Sequence, residues 1–513
     1  MKKSKRGAKA KTSTVLPTDP LNSITGIELF FGLVGPTGTD TTLVCKELAA
    51  QLRKIGYESE IISLSDLIRE YSGLTAESNE YHRILALMKE GNRLCESSAK
   101  ADFIARLGLI DIRRRRKTKS GDEKSPAPRT AYILRSFKRK EEVELFRSIY
   151  GKAFTLISIY SSREERLDAL AHRLAASEKL SLRAVEHEAV QLINTDEEDG
   201  NDLGQKVRDT FPLADYFVTV SDRSRLKSQL SRLVQLIFGD PYLTPTREEH
   251  AMFFAQAEAL RSGDLSRQVG AVIVSSEGEI LATGCNDAPK AHGGLYWSDD
   301  PQPKRDLELG HDMNAKIKRE IVEELFYKLK KAKWMSQKVS KESDATLYES
   351  AVIDKKGALK DSQLLDVIEF GRAVHAEMAA ITDAAKRGVS LKGARLFCTT
   401  FPCHLCARHI ISSGIEMVIY VEPYPKSRTE DLFSDSVAIN PSEKNPDKVN
   451  FFPFVGVAPG RYFDFFQMTG KRKDKYGNTL DIESGERSPK IKRFVLSYIL
   501  IEENVVEGLP DAA

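Results

Sequence analysis

Two short stretches, VHAEMAA at 374–380 and FPCHLCARHI at 401–410, constrain this chain more than anything else in its 513 residues. His375 and Glu377 lie two apart, and Cys403 and Cys406 lie three apart with Pro402 in front. One imidazole and two thiolates make a three-donor set suited to Zn²⁺, leaving a fourth tetrahedral position open for water. If Cys403 and Cys406 open a helix, they lie one turn apart on one face, and the helix N-terminus favours their ionised form. Glu377 is the expected proton carrier beside the metal-bound water. His404 falls between the two thiols on another helix face and stays outside the set. Cys45, Cys95, Cys285 and Cys398 sit in apolar contexts and read as buried small hydrophobes.

A second feature lies in the other half of the chain. GPTGTDTT, Gly35 to Thr42, is almost the phosphate-binding pattern G-x-x-x-x-G-K-[ST]. Gly35 and Thr42 fit, but Asp40 replaces the second glycine and Thr41 replaces the lysine. Gly35 and Gly38 still allow backbone amides near a phosphate, with Thr41 and Thr42 beside them. The Thr42 hydroxyl is the expected Mg²⁺ ligand if a nucleotide binds. Asp40 puts a like charge near the phosphate position, and the missing lysine argues against efficient phosphoryl transfer. The expectation is degenerate nucleotide binding or scaffolding rather than an active kinase.

Around these features the chain alternates strand and helix signals, which implies parallel sheets covered by helices. ELFFGLVG, SEIISLSDLI, AYILR, AFTLISIY and DYFVTV read as strands of a first α/β unit, 25–239, after a basic tail at 1–24. A second unit, 240–513, carries HAMFFAQAEALRSG as a helix and VGAVIVS, EILATGCN, ARLFCTT and EMVIYVE as strands. A charged insert spans about 295–365. Its Ile317, Ile321, Leu325 and Leu329 recur every fourth residue as an amphipathic helix would. Lys316, Lys318 and Arg319 there read as a solvated face. The aromatic extension at about 440–513 is expected to pack on the second unit.

The H-x-E…P-C-x-x-C signature, with RSGDLSRQVGAVIVSSEGEILATGCNDAP before it, resembles the deoxycytidylate deaminase family over roughly 245–425. That resemblance implies a five-stranded sheet between helices and hydrolytic loss of the cytosine 4-amino group. It aligns Asn286 with a sugar-hydroxyl contact, and Arg267 and Gln268 with the phosphate end of the site. The first half, with AYILRSFKRKEEVELFRSIYG and REERLDALAHR, resembles the P-loop nucleotide kinase fold. Together the halves resemble the bacterial anti-phage dCTP deaminase family. This resemblance implies that dCTP or dCMP is converted to the deoxyuridine nucleotide, that a nucleotide or other regulator acts at the first unit, and that the chain forms a homo-oligomer.

Composition narrows the alternatives. Lys and Arg number 77 against 74 Asp and Glu, a net charge of +3, so the whole chain is no polycation for coating nucleic acid. Its basic runs, MKKSKRGAKAK and RRRRKTKSGDEKSPAPR, read as solvated segments and lie outside the catalytic half. A nucleic-acid editing deaminase therefore ranks below a free-nucleotide enzyme, and so does a kinase with a deaminase passenger. No run of about 20 apolar residues spans a membrane, and six cysteines suit a reducing cytoplasm.

Overall fold

Apolar runs buried on both faces belong in the interior of a parallel sheet, and this chain builds two such sheets. The computed structural model describes residues 27–74, 79–197, 207–354, 357–360, 362–422, 427–441, 443–468, 471–480, 489–490 and 495–507. The basic tail at 1–24 lies outside the described residues.

The first sheet contains β1 (Leu29–Val34), β2 (Glu58–Ser63), β3 (Thr130–Arg135), β4 (Phe154–Tyr160) and β5 (Tyr216–Thr219). They lie side by side as β2-β3-β1-β4-β5, with every neighbouring pair parallel. Central β1 reads LFFGLV, buried throughout, and leads through the loop Gly35–Thr42 into the helix Thr41–Arg53.

The second sheet contains β6 (Gly270–Val274), β7 (Ile280–Cys285), β8 (Arg395–Thr400), β9 (Met417–Glu422), β10 (Val437–Ile439) and β11 (Val449–Pro453). Its order is β7-β6-β8-β9-β11-β10. Strand β6 runs antiparallel to β7 and β8, and the remaining pairs are parallel. The sheet has six strands where the resemblance implies five; the three-residue β10 adds an edge beside β11.

Two glycines let helices lie directly on this sheet. A Cβ at Gly270 would sit 1.9 Å from Ala255 O, in the helix Arg247–Ala259. A Cβ at Gly284 would sit 2.4 Å from Ala380 N, in the helix Ala376–Arg387. The second helix carries Glu377, so the close approach at Gly284 sets the depth of the site. One apolar cluster joins the two sheets, with Phe30, Tyr132 and Phe154 from the first and Val272, Phe397 and Ile419 from the second.

The extension after residue 440 does not pack on the second unit alone. After β11 the chain returns to the first sheet, where β12 (Gly456–Val457) pairs antiparallel with β5. Val457 N donates to Glu249 Oε1 at 3.0 Å, and Ala458 N donates to Asp215 O at 3.0 Å. Further on, the helix Val495–Val506 delivers Glu502 to a fully buried Arg116. Arg116 meets Glu502 through two hydrogen bonds of 2.5 and 2.9 Å and also donates to Glu28 at 2.9 Å. An unpaired buried guanidinium is costly, so the tail is drawn to the charge it neutralises. Sequence reading treated that arginine as part of a solvated basic run.

The insert forms the expected helix, with its buried face centred on other residues. In its helix Met313–Lys331 the buried residues are Val322 and Phe326, which pack with Leu347, while Leu325 is exposed. A strict spacing of four winds off a helix face by about 40° per step, because the turn is 3.6 residues. Lys318 is spent on Leu365 O and Arg319 on Glu323.

Replacing Glu502 with Ala is expected to destabilise the chain by about 3–5 kcal/mol, the usual cost of stranding a buried charge. Chemical denaturation of the full chain checks this, with Glu503→Ala, an exposed neighbour, as the near-neutral control.

Candidate metal centre and active site

His375 and Cys403 each stand at the N-terminal boundary of a helix, His375 before Ala376–Arg387 and Cys403 before His404–Ser412. Strand β8 delivers Cys403 through the turn Phe401–Pro402, and Phe401 N donates to Glu422 O at 2.8 Å to fix that turn against β9. His375 is placed from the other side. Val374 exchanges backbone hydrogen bonds with Asp287, immediately after β7.

The donors converge as the spacing predicts. His375 Nδ1 lies 3.3 Å from both Cys403 Sγ and Cys406 Sγ, and the three ligand atoms lie within 4.8 Å of one another. Both thiols are buried. Among the described residues this is the one group of His, Cys, Asp and Glu side chains so arranged. The donor set fits Zn²⁺: one borderline nitrogen and two soft sulfurs on a tight triangle. His404 stays outside it.

The electrostatics suit a metal ligand set. The Cys406 thiol beside it, and then the His375 ring, hold Cys403 down at about 4. The same hydrogen bond and burial push the Cys406 thiol well above its ordinary value. Hydrogen bonding to Cys403 lifts His375 to about 9 against the opposing effect of burial. Glu377, in the first turn of its helix, is 4% exposed. Burial pushes its carboxyl up, and the nearby Cys403 charge adds to the rise. A carboxyl raised in this way is suited to accept and return protons. The other cysteines are buried as expected, and desolvation raises Cys45 and Cys285 to about 12 and Cys95 to about 11.

Of the candidate substrate residues, Arg267 and Gln268 lie on the loop that precedes β6, and Asn286 directly follows β7. Asn286 is buried; its Oδ1 accepts from Val269 N at 2.7 Å and its Nδ2 donates to Arg267 O at 2.8 Å. Its amide thus laces the loop to the end of β7, with one N–H still available. Arg267 is exposed and pairs with Glu422 at 3.0 Å. Gln268 donates to Ser262 O at 2.9 Å and lines a cleft of about 750 Å³ with Thr400, Glu422, Arg147 and Arg461, none of them a metal ligand. Asp287, not singled out from sequence, is buried and accepts from Gly263 N at 3.0 Å, completing the lacing. Its signal was the Asn-Asp pair directly after a strand.

Gly35, Gly38, Thr41 and Thr42 follow β1 in the other sheet and are not brought to the metal ligands. Asp40 stands at the N-terminus of the helix Thr41–Arg53. It caps the helix, Oδ1 accepting from Leu43 N at 2.9 Å. The Thr42 hydroxyl, expected to meet Mg²⁺, accepts instead from Arg135 Nη1 at 3.0 Å.

Residues 245–422 match the cytidine and deoxycytidylate deaminase zinc-binding region. The deoxycytidylate deaminase of Enterobacteria phage T4 is 37% identical over 82 residues, which are 15% of this chain and 42% of the relative. A probable deoxycytidylate deaminase of Drosophila melanogaster is 29% identical over 205 residues, 39% of this chain and 73% of the relative. The chain therefore spans less than half of the phage T4 relative's length. A crystal structure of the dCMP deaminase from cyanophage S-TIM5 with dCMP and dUMP covers 42% of this chain and all of its own, at 19% identity and a TM-score of 0.23. The segment around His375, Glu377, Cys403 and Cys406 is a deoxycytidylate deaminase-like zinc domain.

Hydrogen bonding lifts His375 to about 9 and the Cys406 thiol is pushed above its ordinary value, so loading zinc is expected to release a number of protons that falls as pH rises, and to tighten over the same range. The dependence of calorimetric binding heat on buffer ionisation enthalpy measures that number. Cys403→Ala is expected to lower bound zinc well below one ion per chain by elemental analysis.

Proposed function

We propose that this chain is a zinc-dependent hydrolase that deaminates deoxycytidine nucleotides, dCTP and dCMP, to the deoxyuridine nucleotides. The observation that carries the reading is the His375–Cys403–Cys406 triangle with a buried carboxyl, Glu377, two residues from the histidine. The family match over 245–422 and the deoxycytidylate deaminase relatives support it.

Bound at these donors, Zn²⁺ would supply a water acidified enough to react as hydroxide at neutral pH. The protein's part is to carry protons and hold the ring. Glu377 takes the proton from the attacking water and delivers it to the ring nitrogen next to C4. It then passes the second proton to the departing amine. Water oxygen ends as the C4 carbonyl, and ammonia leaves. The remaining N–H of Asn286 is offered to the sugar, while Arg267 and Gln268 stand at the phosphate end.

The first unit is read as a degenerate nucleotide-kinase-like module that serves regulation. The order β2-β3-β1-β4-β5 and the loop between β1 and a helix support that reading. With it comes the role implied by sequence resemblance: draining the dCTP pool that a replicating phage needs, in a cytoplasmic homo-oligomer.

The decisive assay measures ammonia release by the zinc-loaded chain from dC, dCMP, dCTP, CTP and single-stranded DNA. Activity is expected on dCTP or dCMP, with Glu377→Ala losing about 10²-fold or more while keeping its zinc. Faster deamination of the oligonucleotide would replace this reading with an editing enzyme. Silence on every cytosine nucleotide would end it.

A further inference from the structure

The loop Gly35–Thr42 has the form of an anion seat, strand before and helix after, where backbone amides face a negative group. In this chain the negative group is its own. Thr37 N donates to Asp196 Oδ2 at 2.6 Å, across a separation of 159 residues. The other carboxylate oxygen, Oδ1, accepts from Lys138 Nζ at 2.7 Å. Lys138 Nζ also donates to Gly35 O at 3.2 Å, which ties the ammonium to the loop itself. Asp196 is fully buried and belongs to the last turn of the helix Leu182–Glu197.

These contacts reassign the parts of the degenerate motif. The cation missing at Thr41 is supplied by Lys138, from the segment just after β3. The anion is supplied by Asp196, while Asp40 turns to cap its helix. Gly38, at φ +95°, lies against a neighbouring helix, where a Cβ would come within 2.7 Å of Arg166 O. The loop is therefore closed on one side by backbone and on another by a neutralised carboxylate. A buried carboxylate with both an amide and an ammonium partner is held firmly, because either partner removed leaves a buried charge.

We propose that this loop is a self-liganded anion seat. The Asp196 carboxylate occupies the place of a phosphoryl group, and the loop holds the end of the helix Leu182–Glu197 instead of a nucleotide. A phosphate-class anion reaches the loop only by displacing Asp196, and doing so frees that helix end. The inference stands independently of the deaminase reading.

The test uses the full chain with inorganic pyrophosphate as probe, followed by titration calorimetry. The wild type is expected to show no saturable binding at millimolar pyrophosphate. Asp196→Ala, with its seat and Lys138 left vacant, is expected to bind at least roughly tenfold more tightly, as removing a competing occupant requires. The double variant Asp196→Ala, Lys138→Ala loses the gain. Equal binding by wild type and Asp196→Ala overturns the proposal, as does a folded Asp196→Ala that gains nothing. Should Asp196→Ala not fold, hydrogen–deuterium exchange of Lys138→Gln decides. Faster exchange in residues 37–41 and 190–197 together, with 375–412 unchanged, supports the latch; an unchanged helix end refutes it.

Discussion

Arg116 is the point on which this architecture turns. It is a guanidinium with no exposed surface, lying between Glu28 at the entrance to β1 and Glu502 in the last described helix. Tyr498 donates to Glu28 at 2.6 Å, and Tyr150 donates to Glu502 at 2.7 Å. Ala127 N also donates to Glu28. Desolvating three charges is unfavourable by itself, so the cluster persists because each charged group is hydrogen-bonded to more than one partner. Such a cluster discriminates sharply between one arrangement of the chain and all others. It forces the start of the first sheet, a long helix and the C-terminal helix into one place.

From that anchor the rest follows by contact. The C-terminal helix brings Tyr498 and Ile499 into the apolar cluster that also holds Phe30 and Phe154. The same cluster contains Met252 and Ala255, on the helix that lies against Gly270. On the sheet's other face, the helix carrying Glu377 lies against Gly284. The metal triangle thus rests on a rigid stack in which helix backbones meet strands without intervening side chains. A catalytic constellation needs such support, because small displacements of positioned groups cost large factors in rate.

Much of this was legible in the sequence where information is local. The strands β1, β3 and β4 announce themselves as unbroken apolar runs, and the metal donors as two fixed spacings at helix starts. Long-range pairings left no local trace. Nothing near Arg116 marks Glu502, 386 positions away, as its partner, and nothing near Thr37 marks Asp196. The basic run around Arg116 looked solvated because charge density is visible in sequence while burial is not. Of that run, Arg114 is exposed, Arg115 is partly covered and Arg116 is sealed. In the insert the helix was legible but its buried face was not: a spacing of four imitates a helix face for a turn or two and then leaves it.

The two residues of β12 have a consequence for the order in which the chain is made. Residues 1–239 leave the ribosome with β5 an open edge and Arg116 without Glu502. Unpaired edges and exposed apolar surface are what nascent chains lose to aggregation or to chaperones. The strand that closes β5 arrives more than 200 residues later, after the whole second sheet has been synthesised. All the metal ligands are therefore synthesised before the strand that closes the first sheet.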